Sequence, residues 1–198
     1  MRNPVRFLLV FPGLAIIGLF SFLLLPSLTV QPIVDQSYSV GRYAVREKIY
    51  QNGGGWPDHR YERIYTLQDG WQQIELARFE NESKDGIEVF APKVLDEWVV
   101  VFSANRLILW KSGSQAIVFT PYQAVGWREY AEQRLGGANG HYDYYARDFG
   151  IVGDRWLLEY GCARQFCRLG DNNQPLPDKL IFFSDDQGRT FHIQSSTK

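Results

Sequence analysis

A chain of 198 residues with 21 basic and 22 acidic side chains has room for one ordinary domain beside a short extra segment, and no cationic field to hold nucleic acid. Two of the bases, Arg2 and Arg6, fall in the first thirty residues, which hold no acidic residue; the remainder carries 19 bases against 22 acids, a mildly acidic domain. Six tryptophans, eleven tyrosines and a single methionine suit pleated, half-buried surfaces better than long helices.

Residues 7–25 read FLLVFPGLAIIGLFSFLLL, without a charge. Crossing a hydrocarbon core takes about 20 apolar residues, so residues 1–30 are expected to form a single transmembrane anchor, touching membrane lipid through 7–25. Pro12, Gly13 and Gly18 are compatible with a membrane helix, and Pro26 is a natural stop. The competing reading is a cleaved signal peptide, whose apolar core runs about 7–15 residues and ends at a small-x-small site. Here the exit is Pro26-Ser27-Leu28-Thr29-Val30, which is a poor one. No cysteine follows the run, which excludes a lipoprotein anchor. Arg2, Arg6 and the α-amino group favour a cytoplasmic N-terminus, although Arg42, Arg46 and Lys48 weaken the bias from the other side. The expectation is a single-pass protein of the bacterial inner membrane, with its C-terminal domain in the periplasm.

Residues 31–37 read as a stalk and 38–198 as the exported domain. Short runs rich in valine, isoleucine, tyrosine and phenylalanine, separated by turn clusters, predict strands over 40–50, 61–67, 71–79, 86–90, 98–103, 106–110, 115–120, 156–160, 164–169, 179–184 and 190–194. The fold class is therefore mainly β: a small antiparallel domain, either a partial or small propeller or a sandwich, with one short helix. Between the first two strands, Asn52-Gly53-Gly54-Gly55-Trp56-Pro57-Asp58 is a glycine-rich loop. An internal echo places Asp69-Gly70-Trp71, Asp96-Glu97-Trp98 and Asp154-Arg155-Trp156 each at a turn before a strand. Repeated turn-plus-strand units point to blades or stacked hairpins, but the unequal spacings weigh against a regular repeat.

For the helix, Thr120 is a suitable N-cap, Pro121 suits the first position and Gln123 completes a capping box. The run is expected to continue to Leu135, burying Tyr122, Val125, Ala131 and Leu135, with Gly126 as its weak point. After it comes Gly136-Gly137-Ala138-Asn139-Gly140-His141-Tyr142-Asp143-Tyr144-Tyr145. Glycine supplies adaptable backbone and tyrosine rigid contact area, so His141, Tyr142, Asp143, Tyr144 and Tyr145 form a candidate binding loop. The alternative is a connection whose tyrosines pack on the sheet. Cys162 and Cys167 are the only cysteines; they read as a short hairpin clipped by a disulfide, which persists in an oxidising compartment, or as two buried thiols.

Ser184-Asp185-Asp186-Gln187-Gly188-Arg189-Thr190-Phe191 resembles the Asp-box, S-x-D-x-G-x-T-[FW], of sialidases and other β-propellers, with Ser184, Asp186, Gly188, Thr190 and Phe191 at its defining positions. The resemblance covers about a dozen residues. It implies a brace for a hairpin, with the Asp186 carboxylate accepting bonds from the turn's own amides, and a location away from any active site. A sialidase-like enzyme would show several such boxes in a domain about twice as long. Small microbial ribonucleases carry a similar terminal hairpin, with their catalytic histidine directly after the aspartate; Gln187 stands there.

Three histidines, His59, His141 and His192, have no metal-ligand spacing with one another or with cysteine. No nucleophile elbow, phosphate loop or dinucleotide fingerprint is present. No catalytic residue, metal or cofactor is assigned. The functional expectation is a membrane-anchored binding protein acting on another envelope protein, as an accessory, assembly or immunity-type factor; the alternative is a glycan-binding or carbohydrate-active protein.

Overall fold

The computed structural model describes residues 31–52, 60–82, 90–135, 144–162 and 177–194, and residues from Ile33 onward form one compact unit. The expected anchor at 7–25 lies outside the described residues; among those described, no helix is long and apolar enough to cross a membrane.

The strands are β1 (Val34–Val40), β2 (Tyr43–Gln51), β3 (Tyr61–Asp69), β4 (Gln72–Glu82), β5 (Lys93–Leu95), β6 (Trp98–Ser103), β7 (Arg106–Trp110), β8 (Ile117–Phe119), β9 (Tyr144–Val152), β10 (Arg155–Cys162), β11 (Lys179–Ser184) and β12 (His192–Ile193). They pair strictly in sequence order into three antiparallel meanders: sheet 1 (β1–β4), sheet 2 (β5–β8) and sheet 3 (β9–β12). The domain is thus mainly β, as its aromatic and β-branched composition implies.

How the sheets stack follows from β6 and β7. A strand with one wet face alternates apolar and polar residues; Trp98-Val99-Val100-Val101-Phe102-Ser103 is buried at every position, so both of its faces are covered. Trp98, Val100, Phe102, Leu107 and Leu109 join the core shared with sheet 3. Val99, Val101, Ile108 and Trp110 join a second core shared with sheet 1. Sheet 2 is therefore the middle layer of three, packed between sheet 1 on one face and sheet 3 on the other.

Three strands escaped the sequence pattern. Residues 34–37, expected in a stalk, belong to β1, where Val34 pairs with Ile49 and Ser37 with Arg46; the edge strand is polar on its open face and so reads like a linker. β5 has only three residues. In β9 a bulge opposite Glu159 and Tyr160 shifts the register. Tyr144 and Ala146 point inward and then Phe149 does, so the change of phase hides the period of two. The expected strand at 164–169, and 86–90 apart from Phe90, lie outside the described residues.

The helix is also corrected. Gln123 Oε1 accepts the Thr120 amide at 3.0 Å, but only a 3₁₀ turn, Pro121–Gln123, follows. Ala124 is extended (ψ 140°) and Gly126 is left-handed (φ 80°). Between them Val125 donates its amide to Phe191 O at 2.8 Å and accepts the Ile193 amide at 3.3 Å. The helix then restarts as α1 (Trp127–Tyr130), running into a π turn at Ala131–Leu135. The interruption resets the helical phase. Ala131 and Leu135 are buried as expected, joined by Trp127 and Tyr130, whereas Tyr122 and Val125 are exposed.

Ile108 and Leu109 are neighbours in β7 whose side chains enter opposite cores, both at 0% exposure. Ile108→Ala and Leu109→Ala are each expected to lower stability by about 2–5 kcal/mol. Because both cores share sheet 2, each variant should still unfold in one transition in urea, followed by tryptophan fluorescence.

Candidate functional site

Five connections are two-residue hairpins: Gly41-Arg42, Gly70-Trp71, Asp96-Glu97, Ala104-Asn105 and Gly153-Asp154. The first residue of each has a positive φ, from 52° to 61°, the form of turn that matches the right-handed twist of the strands. In a meander, alternate connections lie at alternate ends, so Gly41-Arg42 and Gly70-Trp71 share one end of sheet 1. Two clefts show that the corresponding ends of all three sheets come together. One, about 430 Å³, lies between sheets 1 and 2 and is lined by Gly41, Arg42, Tyr43, Val94, Asp96, Glu97 and Ser112. The other, about 360 Å³, lies between sheets 2 and 3 and is lined among others by Asp96, Glu97, Trp98, Lys111, Asp154 and Trp156. The Asp96-Glu97 turn is the partition between them.

The tryptophan echo has a structural explanation that its spacing conceals. Trp98 pairs with Leu95 across its turn, as the first residue of its strand. Trp156 pairs with Ile151 and is the second. Side chains alternate faces along a strand, so this one-residue offset turns the two rings toward each other across the stack. Their centroids stand 4.8 Å apart at 76°. Tyr43 takes the Trp98 position in sheet 1 and meets Trp110 of sheet 2 edge-on at 5.5 Å. Trp71 has no such role: it sits at the tip of the β3–β4 hairpin and is wholly exposed, at 101%.

Charges at this turn end are mostly neutralised in pairs. Arg42 lies 4.0 Å from Asp69, Lys111 Nζ 2.9 Å from Glu97, and Arg155 makes two bonds to Asp185, at 2.6 and 3.0 Å. Asp96 and Asp154 stand outside these pairs. The Lys111 ammonium also lies over the Trp98 ring, 4.9 Å from its centroid. Asp96 has a φ of 53° at the turn position that Gly41 and Gly153 take in the other two sheets. A side chain there costs about 1–2 kcal/mol, least for Asp and Asn, so sheet 2 keeps a carboxylate where glycine would be easier.

The 184–191 turn closes one side of the second cleft. Ser184, fully buried, donates its hydroxyl to Asp186 Oδ1 at 2.7 Å and accepts the Gly188 amide at 2.9 Å. Asp186 Oδ1 also accepts the Thr190 amide at 2.8 Å. Phe191 enters the core against Phe119, 4.3 Å between centroids. Gly188 has a φ of 80°, and a Cβ there would run into the Trp156 ring. The bond from Ser184, then that from the Thr190 amide, holds the Asp186 carboxyl down to about 2. All of these contacts brace the hairpin.

Among the loop candidates, Tyr144 is a core residue, 2% exposed, with its hydroxyl donated to Pro177 O at 2.6 Å, so it packs on the sheet and presents no contact surface. Tyr145 is half-buried. His141, Tyr142 and Asp143 lie outside the described residues. Cys162 is buried at the end of β10 and no described cysteine is a free thiol; Cys167 lies outside the described residues. His192 stacks on Phe183 at 5.4 Å. Among the described residues no His, Cys, Asp and Glu cluster is arranged to hold a metal.

One arrangement went unnoticed in the sequence. In the core between sheets 1 and 2, Glu47 and Arg63, each 2% exposed, approach to 3.4 Å, and the Tyr65 hydroxyl donates to Glu47 Oε1 at 2.9 Å. Burial, reinforced by the Glu47 carboxylate, pushes the Tyr65 phenol well up. The available signal was phase: Val45-Glu47-Ile49 and Arg63-Tyr65-Leu67 each place a charge on the inward alternation of strands that pair with each other. Compared with protein-family models, curated proteins and solved structures, the chain matches none.

Two measurements follow from this geometry. Glu47→Ala leaves the Arg63 guanidinium buried without its counter-charge, and should cost about 3–5 kcal/mol in chemical denaturation. For Asp186 the folded carboxyl titrates near 2 against an ordinary 3.8. Its ionised form therefore contributes stability that is complete above the unfolded value and is lost as pH falls through the folded one. Asp186→Asn should be less stable than the parent chain at neutral pH. The gap should close on acidification between those two values; a gap independent of pH would refute the assignment.

Proposed function

We propose that the chain is a membrane-anchored, extracytoplasmic binding module without chemistry of its own, an accessory, assembly or immunity-type factor. Its contact face is the turn end of the three-sheet stack, and its partner is another envelope protein. The observation that carries this reading is Trp71. A wholly exposed tryptophan at the tip of a tight hairpin contributes nothing to the core, whereas tryptophan leads the residues that dominate binding energy at protein interfaces. Exposed Val94 and Val152 stand on the neighbouring hairpins of the same end. The uncharged run at 7–25 supports the anchor. The serial four-stranded meanders support reading the 184–191 turn as an Asp-box in its structural role.

A glycan-binding reading rests on Trp98 and Trp156 in the second cleft. Both rings are buried, at 6% and 3% exposure. Lys111 stands over one and Gly188 against the other, so neither offers a sugar an open face. A protein partner is the better fit.

In full-length chain cross-linked in its native membrane, Trp71→Ala should lose most of its captured partner, a loss equivalent to about 2 kcal/mol or more. Its thermal stability should stay within about 0.5 kcal/mol of the parent. Unchanged capture would refute the assigned face. The exported location further entails a bridge between Cys162 and Cys167: in protein isolated without reductant, neither thiol should react with an alkylating agent, and labelling of both would argue against that compartment.

A further inference from the structure

The outer strand of a sheet keeps backbone groups that can still pair with another strand, and the six outer strands of the three sheets are not alike. β5 and β8 have three residues each and β12 has two, too few to template a further strand. β9 is bulged, and it gives its Ala146 amide to Ala104 O of sheet 2 at 3.0 Å. β4 is broken by two register shifts and carries Glu75, Arg78, Glu80 and Glu82. Shortness, bulges, charges and cover all blunt an edge. β1 has none of these. Its seven residues pair with β2 in unbroken register, without proline or lysine. Its single charge, Asp35, is neutralised by two bonds from Arg46, one of them at 2.6 Å. Asp35, Gln36, Ser37 and Ser39 are exposed, which leaves the outer side of the strand open to solvent.

The residues of β1 also say what fits against it. Val34-Asp35-Gln36-Ser37-Tyr38-Ser39-Val40 is nearly symmetric about Ser37. We propose that β1 pairs antiparallel with β1 of a second copy of this chain, on a two-fold axis at Ser37, so that two copies of sheet 1 become one continuous sheet. A two-fold interface has to be complementary to itself. This register sets Val34 opposite Val40, Gln36 opposite Tyr38, Asp35 opposite Ser39, and Ser37 opposite its own copy. Directly opposed side chains share a face and lie about 4.5–5.5 Å apart. Apolar therefore meets apolar, and no like charges oppose each other. The polar pairs can bond: Tyr38 already donates to Gln36 Oε1 at 2.6 Å within its own strand, and a serine hydroxyl suits the Asp35 carboxylate. A slip of one residue would turn the second copy over, and a slip of two shortens the ladder. An unrelated extended peptide is the disfavoured occupant, because backbone pairing alone does not call for a strand that mirrors itself. The edge of sheet 1 is not part of the turn end, so this inference is independent of the contact face assigned there.

Opposed residues of an antiparallel pair have spacings that a disulfide accepts. Full-length Ser37→Cys, mildly oxidised in its native membrane, should therefore form a disulfide-linked dimer, with the parent chain treated identically as the blank. Asp35→Cys and Ser39→Cys copies should cross-link with each other when co-expressed, and neither with itself. Gln68→Cys, which lines the same face of sheet 1 from its third strand, should give no dimer. Ser37→Lys sets two ammonium groups against each other across the axis and should weaken co-purification of differently tagged copies several-fold. Ser37→Glu should do the same, and the two variants mixed should regain it. Both should keep the thermal stability of the parent, because the position is exposed. A parent chain that stays monomeric in the membrane would overturn the proposal. So would equal cross-linking of Ser37→Cys and Gln68→Cys, or Ser37→Lys copies that associate as the parent does. If a charged variant fails to fold, the three cysteine variants still decide, since the register is read from them alone.

Discussion

The architecture depends on one constraint: sheet 2 is apolar on both faces and has to be covered twice. β6 and β7 place alternate residues into two separate cores, and no two-layer packing satisfies that pattern. Sheet 1 and sheet 3 are the two covers. They differ in kind. The face between sheets 2 and 3 is dense in rings, with Trp98, Phe119, Phe149, Trp156, Tyr160 and Phe182 meeting at edge-to-face angles. The face between sheets 1 and 2 holds fewer apolar side chains and the Glu47–Arg63–Tyr65 group. A buried ion pair of this type stabilises little over apolar replacement but penalises wrong partners, because an unmatched buried charge is costly.

Legibility in the sequence tracked this arrangement. β6, β7 and β11 were readable to the residue because their apolar runs are unbroken or alternate cleanly. β1 was not: its open face carries Asp35, Ser37 and Ser39, Gln36 interrupts the inward one, and polar edge strands look like linkers. β9 was hidden by its bulge, and the helix was overextended because a capping signal says where a helix begins and nothing about a left-handed glycine six residues later. The 184–191 turn was legible in detail, since its bonds are all local. Convergence of the turns was not. It arises from the stacking of three sheets, and no short-range pattern in Asp96 or Asp154 announces that both reach the same cleft.

The one-residue offset between Trp98 and Trp156 makes the same point from the other side. Aligned by eye, Asp-x-Trp looks like a repeat; paired by register, the two tryptophans occupy different positions of equivalent strands. Similarity of words was misleading about equivalence, but the physical demand behind it was real. Facing layers need complementary rings, and a slip of one residue is how neighbouring strands deliver them.

The shortness of the turns at the cleft end has a thermodynamic corollary. A surface built largely from two-residue hairpins, completed by the internally braced 184–191 turn, has little loop freedom to surrender when something docks on it. The ordering entropy that weakens long, mobile recognition loops is largely absent here. Under the binding reading proposed above, such a face would gain selectivity from its fixed geometry and favour partners whose own surface is already in the complementary shape.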